Sequence, residues 1–139
     1  MLLGLAGGAV DLARAYQAWL TVESATRDAA EFVAVNSCAN DKTCLTNTSQ
    51  TDAQRVVCSQ STRLPGYVAG SGGTPCTAPA VTGSATASVA ALGATANNPI
   101  ITAQVRTTLD FRTLVPWPMI PNSTITLGST KTYSVVWGR

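Results

Sequence analysis

The chain opens with an apolar stretch that becomes amphipathic without a break. Residues 1–10 carry no charge, and residues 11–35 are rich in alanine and contain no proline. Apolar side chains recur there at helical spacing, which predicts one long helix over residues 1–36. Its apolar face is predicted to consist of Leu5, Gly8, Leu12, Ala15, Trp19, Val22, Ala25, Ala29 and Val33. Its polar face is predicted to consist of Asp11, Arg14, Gln17, Thr21, Ser24, Asp28 and Glu31.

A helix of this length extends roughly 50 Å at about 1.5 Å per residue. Residues 37–139 are too few to cover it, so we expect lipid or other copies of the chain to bury part of it. The uncharged start alone is too short to cross a bilayer, which takes about 20 residues. It also lacks the basic start and the cleavage pattern of a complete signal peptide. We therefore expect it to be the remainder of a longer hydrophobic segment.

The middle of the chain is predicted to be a loop followed by a short helix and an irregular segment. Polar turn formers end the first helix near residues 36–37, and a second helix is predicted from Thr51 to Ser61. Its inward positions would be Ala53, Val56, Val57 and Ser61. Residues 63–79 are rich in proline and glycine and are predicted to be irregular. The run GSGG at 70–73 lacks the Lys-Ser/Thr of a phosphate loop, so we interpret it as a flexible loop.

From residue 80 onward the pattern changes to that of β-strands. Strands are predicted at 81–92 and 100–111 and in a final run that ends near Trp137. In the second strand apolar and polar residues alternate, which is typical of a sheet with one buried side. The buried positions would be Ile101, Ala103, Val105, Leu109 and Phe111, and in the last strand Ile125, Leu127, Tyr133, Val135 and Trp137.

The segment 113–124 between the last two strands contains three prolines and cannot be a strand. We expect a loop that displays Trp117, Met119 and Ile120 to a neighbouring subunit, since exposed apolar patches usually mark interfaces. The predicted fold class is therefore α+β: a long N-terminal helix (1–36) packed on a small antiparallel sheet within a globular head (37–139).

Composition narrows the range of functions. Charged residues make up 12% of the chain, the net charge is +2, and the nine basic residues form no run, which argues against nucleic-acid binding. Histidine is absent, and no nucleotide motif or pair of convergent acids is present. We therefore expect no enzymatic activity, no metal and no cofactor. A threonine-rich surface with few lysines suits an extracellular protein and offers hydroxyl groups for glycans.

Four cysteines lie at Cys38, Cys44, Cys58 and Cys76. Their even number and loop-like surroundings favour two disulfides in an oxidising compartment. A zinc site is the competing interpretation, but the paired C-x-x-C spacing of structural zinc is missing; free thiols are a third. The favoured pairing is Cys38–Cys44 with Cys58–Cys76, because each closes a local loop, and the two other connectivities stay open.

The charges on the helix permit local pairing. Glu23, Arg27 and Glu31 are spaced for two i,i+4 pairs, each contributing about 0.2–0.5 kcal/mol when exposed. Asp11 and Arg14 lie in the apolar part, where a buried carboxylate without a partner would be very costly. Either Asp11 marks the point at which the helix leaves an apolar environment, or Asp11 and Arg14 set register by meeting partners on neighbouring helices. The expected partner of Asp11 would be Arg14 or a neighbour's N-terminal amine.

The run VDLARAYQAWLTVESATRDAAEFVAV resembles the TadE-like pilin family, a type IV pilus-related family. Its members have an apolar helix running into Asp-x-x-Arg-x-Tyr, which here is Asp11, Arg14 and Tyr16, followed by small residues and an Arg-acid pair. The runs VRTTLDFRTLVPWPMIP and STITLGSTKTYSVV are similar to the family's strand, Pro-rich turn and final strand. Family members usually have a longer apolar stretch before the Asp, and Leu5 stands where many mature type IV pilins have glutamate.

The resemblance covers about two-thirds of the chain and implies a pilin-like structural subunit of an extracellular filament. The residues expected to assemble with those of other copies are Leu2, Leu3, Leu5, Val10, Asp11, Leu12, Arg14, Tyr16, Trp19 and Leu20. The subunit would be inserted in the membrane before assembly, where other pilins and the inner-membrane machinery would be its partners. Two alternatives stay open: a minor pilin or assembly factor that initiates or caps filaments of another protein, and a secreted binding module that uses the loop at 113–124.

Overall fold

The computed structural model describes residues 2–37, 47–73, 75–88, 100–115 and 123–136. Helix α1 (Leu2–Phe32) continues into a π-helical turn at Val33–Ser37, so the predicted end of the long helix is confirmed. Helix α2 (Asn47–Ser61) begins four residues before the predicted start at Thr51. The extra turn, Asn-Thr-Ser-Gln, begins with residue types that favour helix N-termini.

Five strands follow in the described part of the chain: β1 (Val68–Ala69), β2 (Cys76–Ala78), β3 (Ala80–Ser88), β4 (Ile100–Arg112) and β5 (Thr124–Val136). Strands β1 and β2 form a small antiparallel pair inside the segment predicted to be irregular. That prediction is wrong there because strands of two and three residues are too short to produce a periodic pattern. The three longer strands were all predicted.

Strands β3, β4 and β5 form an antiparallel sheet in that order. The pairing of β4 with β5 is continuous from Ile100 opposite Val136 to Arg112 opposite Thr124. Helix α1 packs across β4 and β5, while α2 packs against α1 and β3. The α+β arrangement that the sequence predicts, a long N-terminal helix on a small antiparallel sheet, is confirmed.

The buried face of the sheet is the predicted one. In β4 the side chains of Ala103, Val105, Leu109 and Phe111 are buried, and Thr107 lies among them. Between these positions the strand exposes Gln104, Arg106 and Asp110. The inward side chains of β5 described here, among them Ile125, Leu127 and Tyr133, are only half-buried because β5 lies at an edge of the three-stranded sheet.

The helical side of the core is built largely from alanine. Ala25, Ala29, Ala30 and Val33 of α1 pack with Ala53 and Val57 of α2 and with Ala103 and Val105 of β4. Alanine side chains keep the distance between packed elements short. A second cluster, towards the start of α1, joins Ala18, Val22, Leu64, Leu109 and Phe111. The inward positions predicted for α2 are confirmed at Ala53, Val57 and Ser61, whereas Val56 is half-buried.

The predicted apolar face of α1 is correct in its second half and wrong in its first half. Val22, Ala25, Ala29 and Val33 are fully buried, as predicted. Leu12, however, is 72% exposed and Trp19 is 38% exposed, whereas Asp11, predicted on the polar face, is only 4% exposed. The side of the helix that faces the head at its N-terminal half is therefore not the most apolar one.

We expect Phe111→Ala to lower the free energy of unfolding by about 3–5 kcal/mol, because it removes a large, fully buried side chain beneath α1. Denaturant unfolding measures the change. Thr130→Ala on the outward face of β5 is the matched control and should change stability by less than about 0.5 kcal/mol. Equal losses from the two substitutions would contradict the placement of the core.

Candidate functional site

The side of α1 that faces the head near its N-terminus is anchored through a carboxylate. The Leu114 N–H lies 3.0 Å from both carboxylate oxygens of Asp11, and the Val115 N–H donates to Asp11 Oδ2 at 3.0 Å. Arg14 Nη1 approaches Asp11 Oδ1 at 3.4 Å. One side chain thus joins α1 to the segment that follows β4, which is a link of more than 100 residues along the chain.

These contacts supply partners for Asp11 within its own chain. It is buried with hydrogen-bond donors, and Arg14 is one of them, as the sequence predicts. The main donors are two backbone amides of the same chain, which sequence reasoning did not find. No signal in the sequence pairs position 11 with positions 114 and 115.

The two backbone amides, led by that of Leu114, hold the pKa of Asp11 below its ordinary value. Burial opposes this shift, and the charge of Arg14 adds to it. The ionised form of Asp11 is therefore the one that the folded chain favours.

Two further contacts bring the end of β4 and the segment that follows it against α1. A Cβ added to Gly7 would lie 2.8 Å from Val115 Cγ2, so the helix and the segment approach each other at a position where only glycine fits without a shift. The Arg14 guanidinium carbon lies 5.5 Å from the centre of the Phe111 ring. Gly7, Asp11 and Arg14 occupy successive turns, and together they fix which side of α1 faces the head.

The base of the β4–β5 connection is closed by hydrogen bonds. The Thr113 N–H donates to the Ser123 carbonyl at 2.8 Å. The Thr113 hydroxyl lies within hydrogen-bond distance of two carbonyls, that of Val115 at 2.9 Å and that of Ser123 at 3.2 Å. Trp117, Met119 and Ile120, predicted to contact a neighbouring subunit, lie outside the described residues.

The opposite side of α1 carries large apolar side chains in contact with solvent. Leu12 is 72% exposed, Tyr16 58%, Leu20 44% and Trp19 38%. Positions 12, 16, 19 and 20 follow i,i+3 and i,i+4 spacing and so share one side of the helix. The ring centres of Tyr16 and Trp19 are 6.0 Å apart. We call Leu12, Tyr16, Trp19 and Leu20 the apolar stripe.

The structure describes the side chains of only some of the other residues that were predicted to take part in assembly. Val10 is 52% exposed, but at another angle around α1 than the apolar stripe. Asp11 contacts the chain's own head, and Arg14 contacts Asp11 and the Phe111 ring while its side chain stays 33% exposed. Their expected contacts between copies stay a prediction. The side chains of Leu2, Leu3 and Leu5 lie outside the described residues, although their backbone belongs to α1.

Glu23 and Arg27 of α1 bind side chains of the sheet. Lys131 Nζ of β5 donates to Glu23 Oε1 at 2.7 Å. Arg27 Nε donates to the Tyr133 hydroxyl at 3.2 Å, and this hydrogen bond raises the pKa of Arg27. Neither of the predicted pairs of Arg27, with Glu23 and with Glu31, forms an ion pair within 4 Å. Tertiary partners replace the local ones because α1 lies directly on β5.

Cys58 of α2 and Cys76 of β2 form a disulfide, with their Cα atoms 5.7 Å apart. This is one of the two bonds in the favoured pairing; Cys38 and Cys44 lie outside the described residues. Both sulfurs are buried, and the Gln54 amide nitrogen donates to the Cys76 carbonyl at 2.7 Å. The bond therefore ties the β1–β2 pair to α2.

Within the described ranges the geometry offers little for chemistry. No group of three or more potential metal ligands is present there. A cavity of about 430 Å³ lies between α1 and the turn after α2, and it is lined by Arg14, Gln17, Thr21, Gln60 and Arg63 with no carboxylate. Among the described helices, none combines the length and the hydropathy needed to cross a membrane.

We expect Asp11→Asn to destabilise the fold at neutral pH, because a neutral amide binds the two backbone N–H groups less strongly than a carboxylate does. The pKa of Asp11 is lowered in the folded state, so its contribution is present above the unfolded value of about 3.9 and is lost as pH falls through the folded value. The stability difference between Asp11→Asn and wild type should therefore shrink below about pH 4. Urea unfolding measured between about pH 2 and 7 tests this, and a constant difference would contradict the anchoring role.

We expect loss of the Cys58–Cys76 disulfide to cost about 2–5 kcal/mol, which is typical of a small disulfide-bonded domain. The comparison is between wild type and Cys58→Ala/Cys76→Ala by chemical denaturation. Cys58→Ala alone, with iodoacetamide labelling of Cys76, is the control for the pairing. Equal stability of the double variant and wild type would show that the bond contributes nothing.

Comparison with known proteins adds no relative: no family model, no curated protein and no solved structure matches the chain.

Proposed function

We propose that the chain is a structural subunit of an extracellular pilus-like filament and that it polymerises through its N-terminal helix. The observation that carries the proposal is the apolar stripe on α1. Its four large side chains are exposed on a helix whose opposite side is held to the head by Asp11. The anchor keeps the stripe turned away from the chain's own core.

Energetics favour association of this surface. Burying an exposed apolar side chain of this size yields about 1.5–3 kcal/mol. Contiguous exposed apolar patches on soluble proteins usually mark interaction sites. The core beneath α1 is already closed by Val22, Leu109 and Phe111. The stripe stays exposed among the described residues, so the cover that we propose is a second molecule.

We propose that other copies of the chain bury the apolar stripe. Small residues before the stripe, Gly4, Ala6, Gly8 and Ala9, permit close approach of helices. The resemblance of positions 11–35 to the TadE-like pilin family supports the same assembly and implies that lipid covers the helix before subunits join. Other pilins and an inner-membrane assembly machinery would be the partners at that stage, and the cell surface would be the final location.

The outward face of the sheet suits the outside of such a filament. It presents exposed Gln104, Arg106, Thr126, Thr130 and Thr132 and no large apolar side chain among the described positions. A polar face does not promote sideways aggregation, and its hydroxyl groups are available for glycans. The proposal includes no catalytic role and no cofactor.

Leu12→Ser/Leu20→Ser should abolish filament formation while leaving the head folded, because both side chains point away from the core. Sedimentation and negative-stain electron microscopy measure assembly, and circular dichroism measures folding. Val68→Ser is the matched control, since Val68 is 51% exposed on β1 and should not affect assembly.

Two results would count against the proposal: filaments of normal length from the double variant, or no filaments from purified wild type under any condition. Filaments that form only when a second pilin is added would indicate a minor subunit or assembly factor instead.

A further inference from the structure

Most charged side chains of the described residues have partners within the chain. Asp11 is bound by two amides and Arg14, Asp110 accepts from the Thr126 hydroxyl, and Arg27 donates to Tyr133. The remaining pairs are Glu23 with Lys131 and Asp52 with Arg55. Few charged side chains near α1 therefore lack a hydrogen-bond or ion-pair partner among the described residues, and their positions indicate where another molecule would bind.

One such charge is Arg63, in the turn after α2. It lines the cavity of about 430 Å³ together with Arg14, Gln17, Thr21 and Gln60; we call this the basic cleft. Arg63 is exposed, and none of the described carboxylates lies within 4 Å of its guanidinium. Arg14, by contrast, is engaged by Asp11 and by the Phe111 ring. Arg63 is thus the cation in the cleft that is available to a partner.

The complementary surface lies further along α1. A depression of about 310 Å³ is lined by Asp28, Glu31, Phe32 and Val35; we call this the acidic pocket. Phe32 is 39% exposed and Val35 is 56% exposed, so its floor is apolar as well as accessible. Asp28 accepts a hydrogen bond from the neutral Gln60 amide at 2.8 Å. No described cation lies within 4 Å of Glu31.

Both surfaces lie on the same side of α1. Arg14, Thr21 and Asp28 are seven residues apart in succession, which is about two helical turns each time. Thr21 and Val35, one at each surface, are related by the same repeat. The helical residues that line the basic cleft (14–21) and those that line the acidic pocket (28–35) are therefore centred about 21 Å apart along the helix axis. The two surfaces meet at the hydrogen bond from Gln60 to Asp28.

We propose that Arg63 of one copy of this chain enters the acidic pocket of the next copy. The guanidinium would bind the Asp28 and Glu31 carboxylates, and its aliphatic stem would cover Phe32 and Val35. Arginine suits such a pocket because it combines a planar donor group with an apolar stem and stacks on aromatic rings. This inference rests on the proposed function, since it takes subunits aligned in parallel and displaced along the helix axis.

The contact has a consequence for the kind of assembly. Between parallel helices, one neighbour receives Arg63 and a different neighbour supplies it, so the contact repeats without closing. Between antiparallel helices, the same two surfaces would satisfy each other twice in a closed dimer. The first arrangement yields a filament, and the second yields particles of fixed size.

Charge reversal tests the proposed contact. Arg63→Glu and Glu31→Arg should each raise the critical concentration for polymerisation about tenfold, because each places like charges together at the contact. The combination Arg63→Glu/Glu31→Arg should restore the wild-type critical concentration. Arg106→Glu is the matched control, since it makes the same charge change on the outward face of the sheet, away from α1. Sedimentation of polymer measures each value, and circular dichroism measures folding.

Polymerisation of Arg63→Glu at the wild-type critical concentration would overturn this contact. So would a double variant no better than the worse single variant, or dimers of fixed size that the single variants disrupt. None of these results bears on the apolar stripe. Failure of the proposed function is recognised separately, by wild type that does not polymerise or by Leu12→Ser/Leu20→Ser that does.

Discussion

The arrangement of this molecule depends on one buried carboxylate. Asp11 accepts hydrogen bonds from consecutive backbone amides at 114 and 115, which belong to an irregular segment and so have no strand partner there. Two backbone donors at a sheet terminus would otherwise need water, and an unpaired buried carboxylate would be costly. The carboxylate accepts the hydrogen bonds of the two amides, and the amides provide donors for the buried carboxylate. The N-terminal half of α1 is held to the end of β4 as a result.

This anchor explains why the most apolar side of α1 faces outward. At Gly7, Asp11 and Arg14 the helix meets the head through a close backbone approach, a carboxylate and a guanidinium over Phe111. These contacts fix the rotation of the helix about its axis. Leu12, Tyr16, Trp19 and Leu20 are then left exposed on the described surface of the chain.

The second half of α1 is held differently, by small apolar residues and by charges at its edges. Ala25, Ala29 and Ala30 let the helix lie close to β4, while Lys131 and Tyr133 of β5 bind Glu23 and Arg27. This half therefore resembles an ordinary surface helix, with a buried apolar side and a polar outer side. The two halves share one helix but differ in their surroundings: the second half completes the core, and the first half carries the exposed apolar stripe.

The sequence by itself determined the elements and the faces of the sheet. Local periodicity is a property of consecutive residues, so α1, most of α2, the three long strands and the buried positions of β4 could all be predicted. The spacing of Cys58 and Cys76 was enough to favour their bond, because the loop between them is short. Only the tertiary structure decided the orientation of α1, since Asp11 accepts hydrogen bonds from Leu114 and Val115, more than 100 residues away along the chain. These donors are backbone amides, which every residue except proline carries, so neither composition nor periodicity identifies them. The tertiary structure also exchanged the expected partners of Arg27 for Tyr133, because the sheet packed against the helix brings the Tyr133 hydroxyl within hydrogen-bond distance of the guanidinium. The sequence thus predicted helix α1, and the tertiary structure determined which of its sides is exposed.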